Sequence, residues 1–143
     1  IAGTLLVVTG RSPEVQKSLE GLPASPTLTV QVLGFVDYLD DLIAASDLVI
    51  SKAGGLITSE VMARGTPLLV VDPVRGQEEY NADYVAGSGV GTQARLPDSV
   101  PYMVELLLRD PDRLATMRAR AQEFGRPRAA LDVADIVLQG IGL

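Results

Sequence analysis

The chain has 143 residues, a net charge of −6 from 18 acidic and 12 basic side chains, and a hydrophobic content of 47%. Its length and apolar content fit one domain with its own core, and its acidity argues against nucleic acid or an anionic membrane surface as a direct partner. The absence of cysteine and histidine from the sequence excludes disulfides, thiolate nucleophiles, a Ser-His-Asp triad and most zinc sites.

Predicted strands and helices alternate along the first half of the chain. Short apolar runs predict four strands, at residues 4–9, 28–33, 48–50 and 67–71. Ser12 and Pro13 are typical of an N-cap and a first helical residue. A second helix is predicted to begin at Asp37, which has capping-box-like spacing to Asp40. Because the connections are too short for anything but crossover helices, this order predicts an α/β domain, a Rossmann-like doubly wound parallel sheet.

The stretch at residues 48–60 joins the third predicted strand to a helix through a loop that ends in Gly54 and Gly55. From Leu56 the apolar spacing is helical, and Gly65 can close the helix. The first N–H groups of a helix have no intrahelical acceptor, and the helix dipole places partial positive charge there. Glycines let a phosphate approach the backbone closely. The stretch therefore predicts an anion site at the helix N-terminus.

Glu60 lies about one turn, or about 5 Å, inside this predicted helix, which is roughly the offset between a nucleotide's diphosphate and its ribose. A carboxylate there can accept hydrogen bonds from two ribose hydroxyls while the helix end holds the phosphates. The residues alone leave a second interpretation open. In that interpretation Gly54 and Gly55 form only a tight turn, and Glu60 is a helix-start acid favoured by the dipole.

Polar side chains also follow two other predicted strands. A loop after the fourth strand begins a helix that carries Gln77, Glu78 and Asn81, with Gln77 and Asn81 on one face. This mixture of donors and acceptors can bind vicinal sugar hydroxyls, although an ordinary polar helix start has the same composition. Arg11 follows the first strand, at the edge where open parallel sheets bind ligands. It is either a phosphate contact or a solvated loop cation.

The last third of the chain is predicted to be helical after a weak fifth strand at residues 90–94. Asp110 and Pro111 are typical of a helix start, and the apolar face of that helix consists of Leu114, Met117, Ala121 and Phe124. A final helix is predicted at residues 129–139. No repeat or linker interrupts the sequence, so residues 1–143 are predicted to form a single domain.

Three motifs stand in fixed order along the chain: Gly34-Phe35-Val36, the loop and helix start at residues 51–60, and the segment at residues 65–81. Together they resemble the C-terminal, nucleotide-sugar-binding half of the GT-B glycosyltransferases. Within that group the resemblance is to the monogalactosyldiacylglycerol synthases and the processive diacylglycerol glucosyltransferases, and more distantly to the peptidoglycan lipid II N-acetylglucosaminyltransferase. It covers nearly the whole chain and is most specific at residues 52–81.

The resemblance implies a contact to UDP-sugar for each motif. The implied contacts are Gly34, Phe35 and Val36 for the uracil, the backbone N–H groups of Gly54, Gly55, Leu56 and Ile57 for the diphosphate, Glu60 for the ribose, and Gln77 and Glu78, with Asn81 close by, for the hexose or a neighbouring phosphate. The Val36 backbone is expected to bind the edge of the base. The resembled synthases tend to carry Thr at the position of Ile57, and here Thr58 comes next, so the expected phosphate contacts are those of the backbone.

The resemblance implies metal-independent transfer of a hexose from UDP-sugar to a lipid acceptor such as diacylglycerol, in glycolipid biosynthesis. A helix N-terminus stabilises the leaving diphosphate without a metal, so no cofactor is expected besides the donor substrate. In the resembled enzymes the acceptor site and the general base belong to an N-terminal domain. No catalytic or metal-binding residue is therefore expected in this chain, which is expected to bind UDP-sugar weakly and transfer nothing alone.

Several points stay open from the residues. The sugar can be glucose, galactose or N-acetylglucosamine. The same fold also serves lipid-linked peptidoglycan precursors and natural products as acceptors, and the chain can be a non-catalytic UDP-sugar-binding subunit that needs a partner chain. The chain starts at Ile1 without an initiator Met and is interpreted as part of a longer protein. With no apolar run near the roughly 18 residues of a membrane span and no signal peptide, a cytoplasmic location is expected, or a peripheral one at the cytoplasmic membrane face in the full-length protein.

Overall fold

A computed structural model of the chain describes residues 2–22 and 25–141. Within these ranges the strands are β1 (Gly3–Val8), β2 (Leu28–Leu33), β3 (Val49–Ser51), β4 (Leu68–Val71) and β5 (Gly91–Ala94). The helices are α1 (Pro13–Ser18), α2 (Leu39–Ala45), α3 (Gly55–Ala63), α4 (Gln77–Gly87), α5 (Val100–Leu108), α6 (Pro111–Phe124) and α7 (Ala129–Gly140), with a short 3-10 turn at Pro97–Ser99. Strands and helices alternate through the first five strands, and the predicted α/β class is confirmed.

The chain forms two compact units, residues 1–39 and residues 40–143, here called the N-terminal unit and the C-terminal unit. In the N-terminal unit β1 and β2 pair in parallel, from Gly3 opposite Leu28 to Val8 opposite Leu33. Thr9 extends this pairing, because its backbone N and its hydroxyl both donate to the Leu33 carbonyl, at 2.9 and 3.1 Å. The loops after the two strands therefore begin side by side.

The C-terminal unit is built on a parallel sheet in the order β3-β4-β5. The central strand, β4, is fully buried at Leu68, Leu69 and Val70, as expected of a parallel strand that is covered on both faces. One core cluster joins Leu69 of β4 to Ala94 of β5, Leu107 of α5 and Met117 of α6. A second cluster joins Met62 of α3 to Ala121 of α6 and includes Val90. The predicted apolar face of α6 therefore packs into this core.

The start of α2 differs from the sequence prediction. The helix begins at Leu39, two residues after the predicted start at Asp37. Asp40 lies in its first turn, and the Asp40 carboxylate forms an ion pair with Arg64 at the end of α3. Because Asp37 lies two residues before the helix start, it is not the N-cap, and the predicted capping box of Asp37 and Asp40 is wrong.

The last helix, α7, contributes no buried residue to the core. Its exposed apolar residues are Leu131, Val133, Ile136, Val137 and Leu138. None of the helices in residues 2–22 and 25–141 is both long enough and apolar enough to cross a membrane.

Candidate functional site

The centre of the candidate site is the N-terminus of α3 in the C-terminal unit. Gly54 is the N-cap residue, with φ −62° and ψ 145°, and no side chain caps the helix. The first helical hydrogen bond runs from the Thr58 N–H to the Gly54 carbonyl, at 3.0 Å. The N–H groups of Gly55, Leu56 and Ile57 precede this bond and so have no helical acceptor. They form a group of three donors at the positive end of the helix dipole.

The two glycines at this helix start are not required by the packing of the described chain. A Cβ atom on Gly54 would meet a side chain of α3 at 3.6 Å, and one on Gly55 would meet Gln77 Nε2 at 3.8 Å, both ordinary contact distances. Neither residue has a positive φ. By contrast, a Cβ on Gly91 would collide with the Leu68 carbonyl oxygen. The open backbone at Gly54 and Gly55 therefore leaves room for a group from outside the chain.

Asn81 fixes the loop that leads into α3. Its side-chain amide Nδ2, on α4, donates to the Ala53 carbonyl at 2.8 Å, and Ala53 is fully buried. The bond joins the first turns of α4 to the residue before Gly54. Asn81 thus lies beside the glycine loop, where the resemblance places it, and one of its donors is already used by the chain. Its contact to a sugar stays a prediction.

The start of α4 brings Gln77 to the same place. Gln77 Nε2 lies 3.8 Å from the position that a Cβ on Gly55 would occupy, so the amide borders the α3 N-terminus. Glu78 instead accepts a hydrogen bond from the Val74 N–H, 2.9 Å from its Oε2, within its own loop. Glu79 accepts from the Gly76 N–H at 3.2 Å, and Gly76 has φ 100°, which favours glycine. Gln77 and Asn81 therefore both border the glycine loop, whereas the Glu78 carboxylate is engaged within its own loop.

Glu60 is exposed to solvent on the second turn of α3. The helix begins at Gly55, one residue before the predicted start, so Glu60 lies about 7.5 Å along the axis rather than about 5 Å. It shares a helix face with Leu56, four residues earlier, which is 83% exposed. No ion pair between described residues involves Glu60. Its carboxylate is available to accept hydrogen bonds from an external group.

The hydroxyl of Thr58, the residue after Ile57, is buried. Thr58 is 6% exposed, and its Oγ1 has no hydrogen-bond partner among the described residues. Ile57, which stands where the resembled synthases tend to carry Thr, is half-buried. A buried hydroxyl is not accessible to a phosphate outside the fold, so the backbone N–H groups are the donors that this helix end offers.

The predicted uracil residues lie in the N-terminal unit, directly after β2. Phe35 is 60% exposed, whereas Gly34 and Val36 are half-buried. The Arg11 guanidinium carbon lies over the Phe35 ring, 4.3 Å from the ring centroid. The sequence prediction did not anticipate this contact. Its signal was indirect, since Arg11 and Phe35 each follow one of two neighbouring parallel strands.

Known proteins match this chain along most of its length. Residues 3–133 match the family described as Glycosyltransferase family 28 C-terminal domain. The processive diacylglycerol beta-glucosyltransferase of Bacillus cereus (strain AH187) is 31% identical over 134 residues, which are 94% of this chain and 34% of that protein. The enzyme of the same name from Bacillus thuringiensis (strain Al Hakam) is 30% identical over 135 residues, 94% of this chain and 35% of that protein. The chain therefore spans about a third of the length of these relatives.

Solved structures show the same fold. Acinetobacter baumannii MurG superimposes with a TM-score of 0.80 at 22% identity, covering 97% of this chain and 42% of that one. The glycotransferase of kitacinnamycin superimposes with a TM-score of 0.61 at 20% identity, covering 94% of this chain and 43% of that one. The predicted architecture, the C-terminal half of a GT-B fold, is confirmed. Because the family match spans nearly all of the described residues, the chain belongs to the glycosyltransferase family 28 C-terminal domain family.

Proposed function

We propose that residues 1–143 act as the donor-binding domain of a glycosyltransferase that moves a hexose from UDP-sugar to a lipid acceptor such as diacylglycerol. The observation that carries the proposal is the α3 N-terminus, where three N–H groups without helical acceptors follow a glycine loop that internal packing does not require. The lipid acceptor is proposed because curated relatives at 30% and 31% identity are named processive diacylglycerol beta-glucosyltransferases.

The proposed chemistry of this domain is stabilisation of the leaving group. When the hexose departs, the UDP diphosphate gains negative charge. The N–H groups of Gly55, Leu56 and Ile57 and the dipole of α3 are oriented before the reaction, so they stabilise that charge without reorganising. Glu60 accepts hydrogen bonds from the ribose hydroxyls. Gln77, at the border of the helix end, donates to the hexose or to the adjoining phosphate.

In this proposal Gly34, Phe35 and Val36 also contact the uracil. Glu78 and Asn81 make secondary contacts to the hexose. The matched relatives are about three times as long as the matched region. We therefore place the acceptor site and the general base in sequence outside these 143 residues or in a partner chain. Any membrane contact at the cytoplasmic face would come through that part.

A ligand panel tests the proposal. We expect UDP and at least one of UDP-glucose, UDP-galactose and UDP-N-acetylglucosamine to raise the melting temperature of the 143-residue chain, because a ligand at about 100 times its Kd stabilises the folded state by about 2.7 kcal/mol. ADP and CDP serve as matched controls. We expect no hexose transfer to diacylglycerol by this chain alone. If no UDP compound shifts the melting temperature more than ADP does, the proposal is wrong.

Removal of divalent metal is expected to leave UDP binding unchanged. The proposed diphosphate contacts are backbone N–H groups and a helix dipole, which need no bridging cation. Calorimetric titration of UDP with and without EDTA measures this, with added magnesium as the reverse control. A loss of affinity in EDTA that magnesium restores would contradict the proposed mode of diphosphate binding.

A further inference from the structure

Helix α6 carries two arginines that bond to the far ends of α3 and α4, the helices whose N-termini border each other at the candidate site. Arg118 donates from one guanidinium nitrogen to the Gly65 carbonyl, one residue beyond the C-cap of α3, at 3.4 Å. Arg120 Nε donates to the carbonyl of Ser88, the C-cap residue of α4, at 2.9 Å. The two site helices are therefore attached to one common helix at their C-terminal ends.

Glycines at these helix ends let α6 pack closely against α3 and α4. Gly65 and Gly89 each follow the C-cap residue of their helix and have positive φ, 69° and 75°. A Cβ on Gly65 would lie 2.8 Å from Gln122 Cγ, and one on Gly89 would lie 3.6 Å from the arginine that bonds to α4. Gly125, after the end of α6, is buried, and a Cβ there would collide with the Met62 carbonyl of α3. The C-terminal ends of both site helices thus rest directly on α6.

Arg118 also lies where two helix dipoles end. Its second guanidinium nitrogen donates to the Ser46 carbonyl, directly after α2, at 3.0 Å. Both of its acceptors lie at the negative ends of helix dipoles, where a cation is stabilising. The side chain is half-buried, and no ion pair between described residues uses it. The guanidinium is therefore held by the ends of α2 and α3 rather than by a carboxylate.

We propose that Arg118 and Arg120 are positioning residues for the donor, Arg118 through α3 for the diphosphate and Arg120 through α4 for the hexose. This inference rests on the proposed function, since it assumes that a UDP-sugar binds at the two N-termini. The Gly65 carbonyl lies about 15 Å along the axis of α3 from Gly55. The Debye length at physiological ionic strength is only about 8 Å, so the charge of Arg118 is largely screened over that distance and the helix carries its effect.

The physical reason is orientation. When the bond at the far end of a helix is lost, the helix is free to tilt, and a tilt changes the directions in which its N-terminal donors point. Donors stabilise a developing charge best when they are oriented before the ligand arrives. A helix that must be reoriented during binding lowers the affinity by the cost of ordering it. The far ends of α3 and α4 therefore influence how well their N-termini bind.

Two ligands separate the two roles. UDP and UDP-glucose are titrated into wild type, Arg118→Met and Arg120→Met, with binding followed by amide chemical shifts. Arg109→Met is the matched control, because Arg109 forms its ion pair with Glu105 on α5. We expect Arg118→Met to weaken both ligands about fivefold, since both contain the diphosphate, which is within the range for residues that do not contact the ligand. Arg120→Met should weaken UDP-glucose about fivefold and UDP less than about twofold.

Arg118→Lys separates position from charge. Lysine keeps the charge, but its ammonium lacks the planar fork with which the guanidinium donates to two carbonyls. We expect Arg118→Lys to bind UDP about fivefold more weakly than wild type does, and this variant carries the test if Arg118→Met does not fold. Wild-type affinity in Arg118→Lys would overturn the positioning role of Arg118.

The outcomes distinguish this inference from the proposed function. If wild type binds UDP and both methionine variants bind the two ligands as tightly as Arg109→Met does, even with lower melting temperatures, the arginines are only structural and the proposed function stands. A selective loss of UDP-glucose in Arg118→Met, or an equal loss of both ligands in Arg120→Met, would overturn the assigned roles. If wild type binds neither ligand, the inference and the proposed function are both wrong.

Discussion

Replacement of Glu60 by alanine is expected to weaken UDP binding by about 1.5–3 kcal/mol, or roughly 10- to 150-fold, as for loss of a charged hydrogen-bond partner. The Glu60 carboxylate is exposed on α3, shares a face with Leu56 and forms no ion pair with a described residue. Its removal should therefore leave the fold intact and reduce only the free energy of UDP binding. Calorimetric titration of UDP into wild type and Glu60→Ala measures the effect.

The ribose hydroxyls provide a sharper form of this test. If Glu60 accepts from them, wild type binds UDP more tightly than 2′-deoxy-UDP, and Glu60→Ala binds the two nearly equally, so the coupling energy identifies the contact. Glu20→Ala is a suitable control, because it removes an exposed carboxylate from the end of the α1 region. Equal UDP affinity in Glu60→Ala and Glu20→Ala would remove Glu60 from the site.

Replacement of Gly55 by alanine is expected to separate stability from binding. The new Cβ has only an ordinary 3.8 Å contact with Gln77 Nε2 in the described chain, and alanine in a helix is up to about 1 kcal/mol more favourable than glycine. The melting temperature should be unchanged or higher. UDP affinity should fall by about tenfold or more, because the methyl group occupies the space through which a phosphate approaches the N–H groups.

Gly87→Ala is the matched control for this substitution. Gly87 is the last residue of α4, and a Cβ there meets nothing within 4 Å. It should show a comparable stability effect with unchanged UDP affinity. Gly91→Ala provides the opposite case, since its Cβ would collide with the Leu68 carbonyl oxygen and should destabilise the fold. If Gly55→Ala binds UDP as well as Gly87→Ala does, the phosphate does not approach the backbone at Gly55.

Much of the fold could be predicted because the signals for its elements are local. Ser12 accepts a hydrogen bond from the Val15 N–H and Asp110 from the Arg113 N–H, as N-cap residues do. The apolar runs form parallel strands, with boundaries shifted by at most one residue. Asp37 was misleading because its spacing to Asp40 imitates a capping box, while the Asp40 carboxylate pairs with Arg64 from another helix. A sequence pattern does not reveal such a tertiary partner.

The candidate site also combines features with local sequence signals, which were predictable, and features that depend on tertiary contacts, which were not. The bare start of α3 follows from residues adjacent in sequence and was predictable, although a one-residue shift of the helix start moved Glu60 further from it. The bond from Asn81 to Ala53 joins residues 28 positions apart, and Glu78 folds back onto Val74. Such side-chain hydrogen bonds depend on the tertiary arrangement of the loops. The sequence could therefore identify Asn81 and Glu78 as polar candidates, but it could not show that they form hydrogen bonds within the chain.

The central claim is that the N-terminus of α3 binds the diphosphate of a nucleotide. Amide proton and nitrogen chemical shifts, recorded while UDP and then uridine are titrated into the chain, test it most directly. The account predicts large shifts at Gly55, Leu56 and Ile57 with UDP and much smaller ones with uridine, because N–H groups respond to the anion they contact. Saturable UDP binding that leaves these three amides unshifted would contradict it.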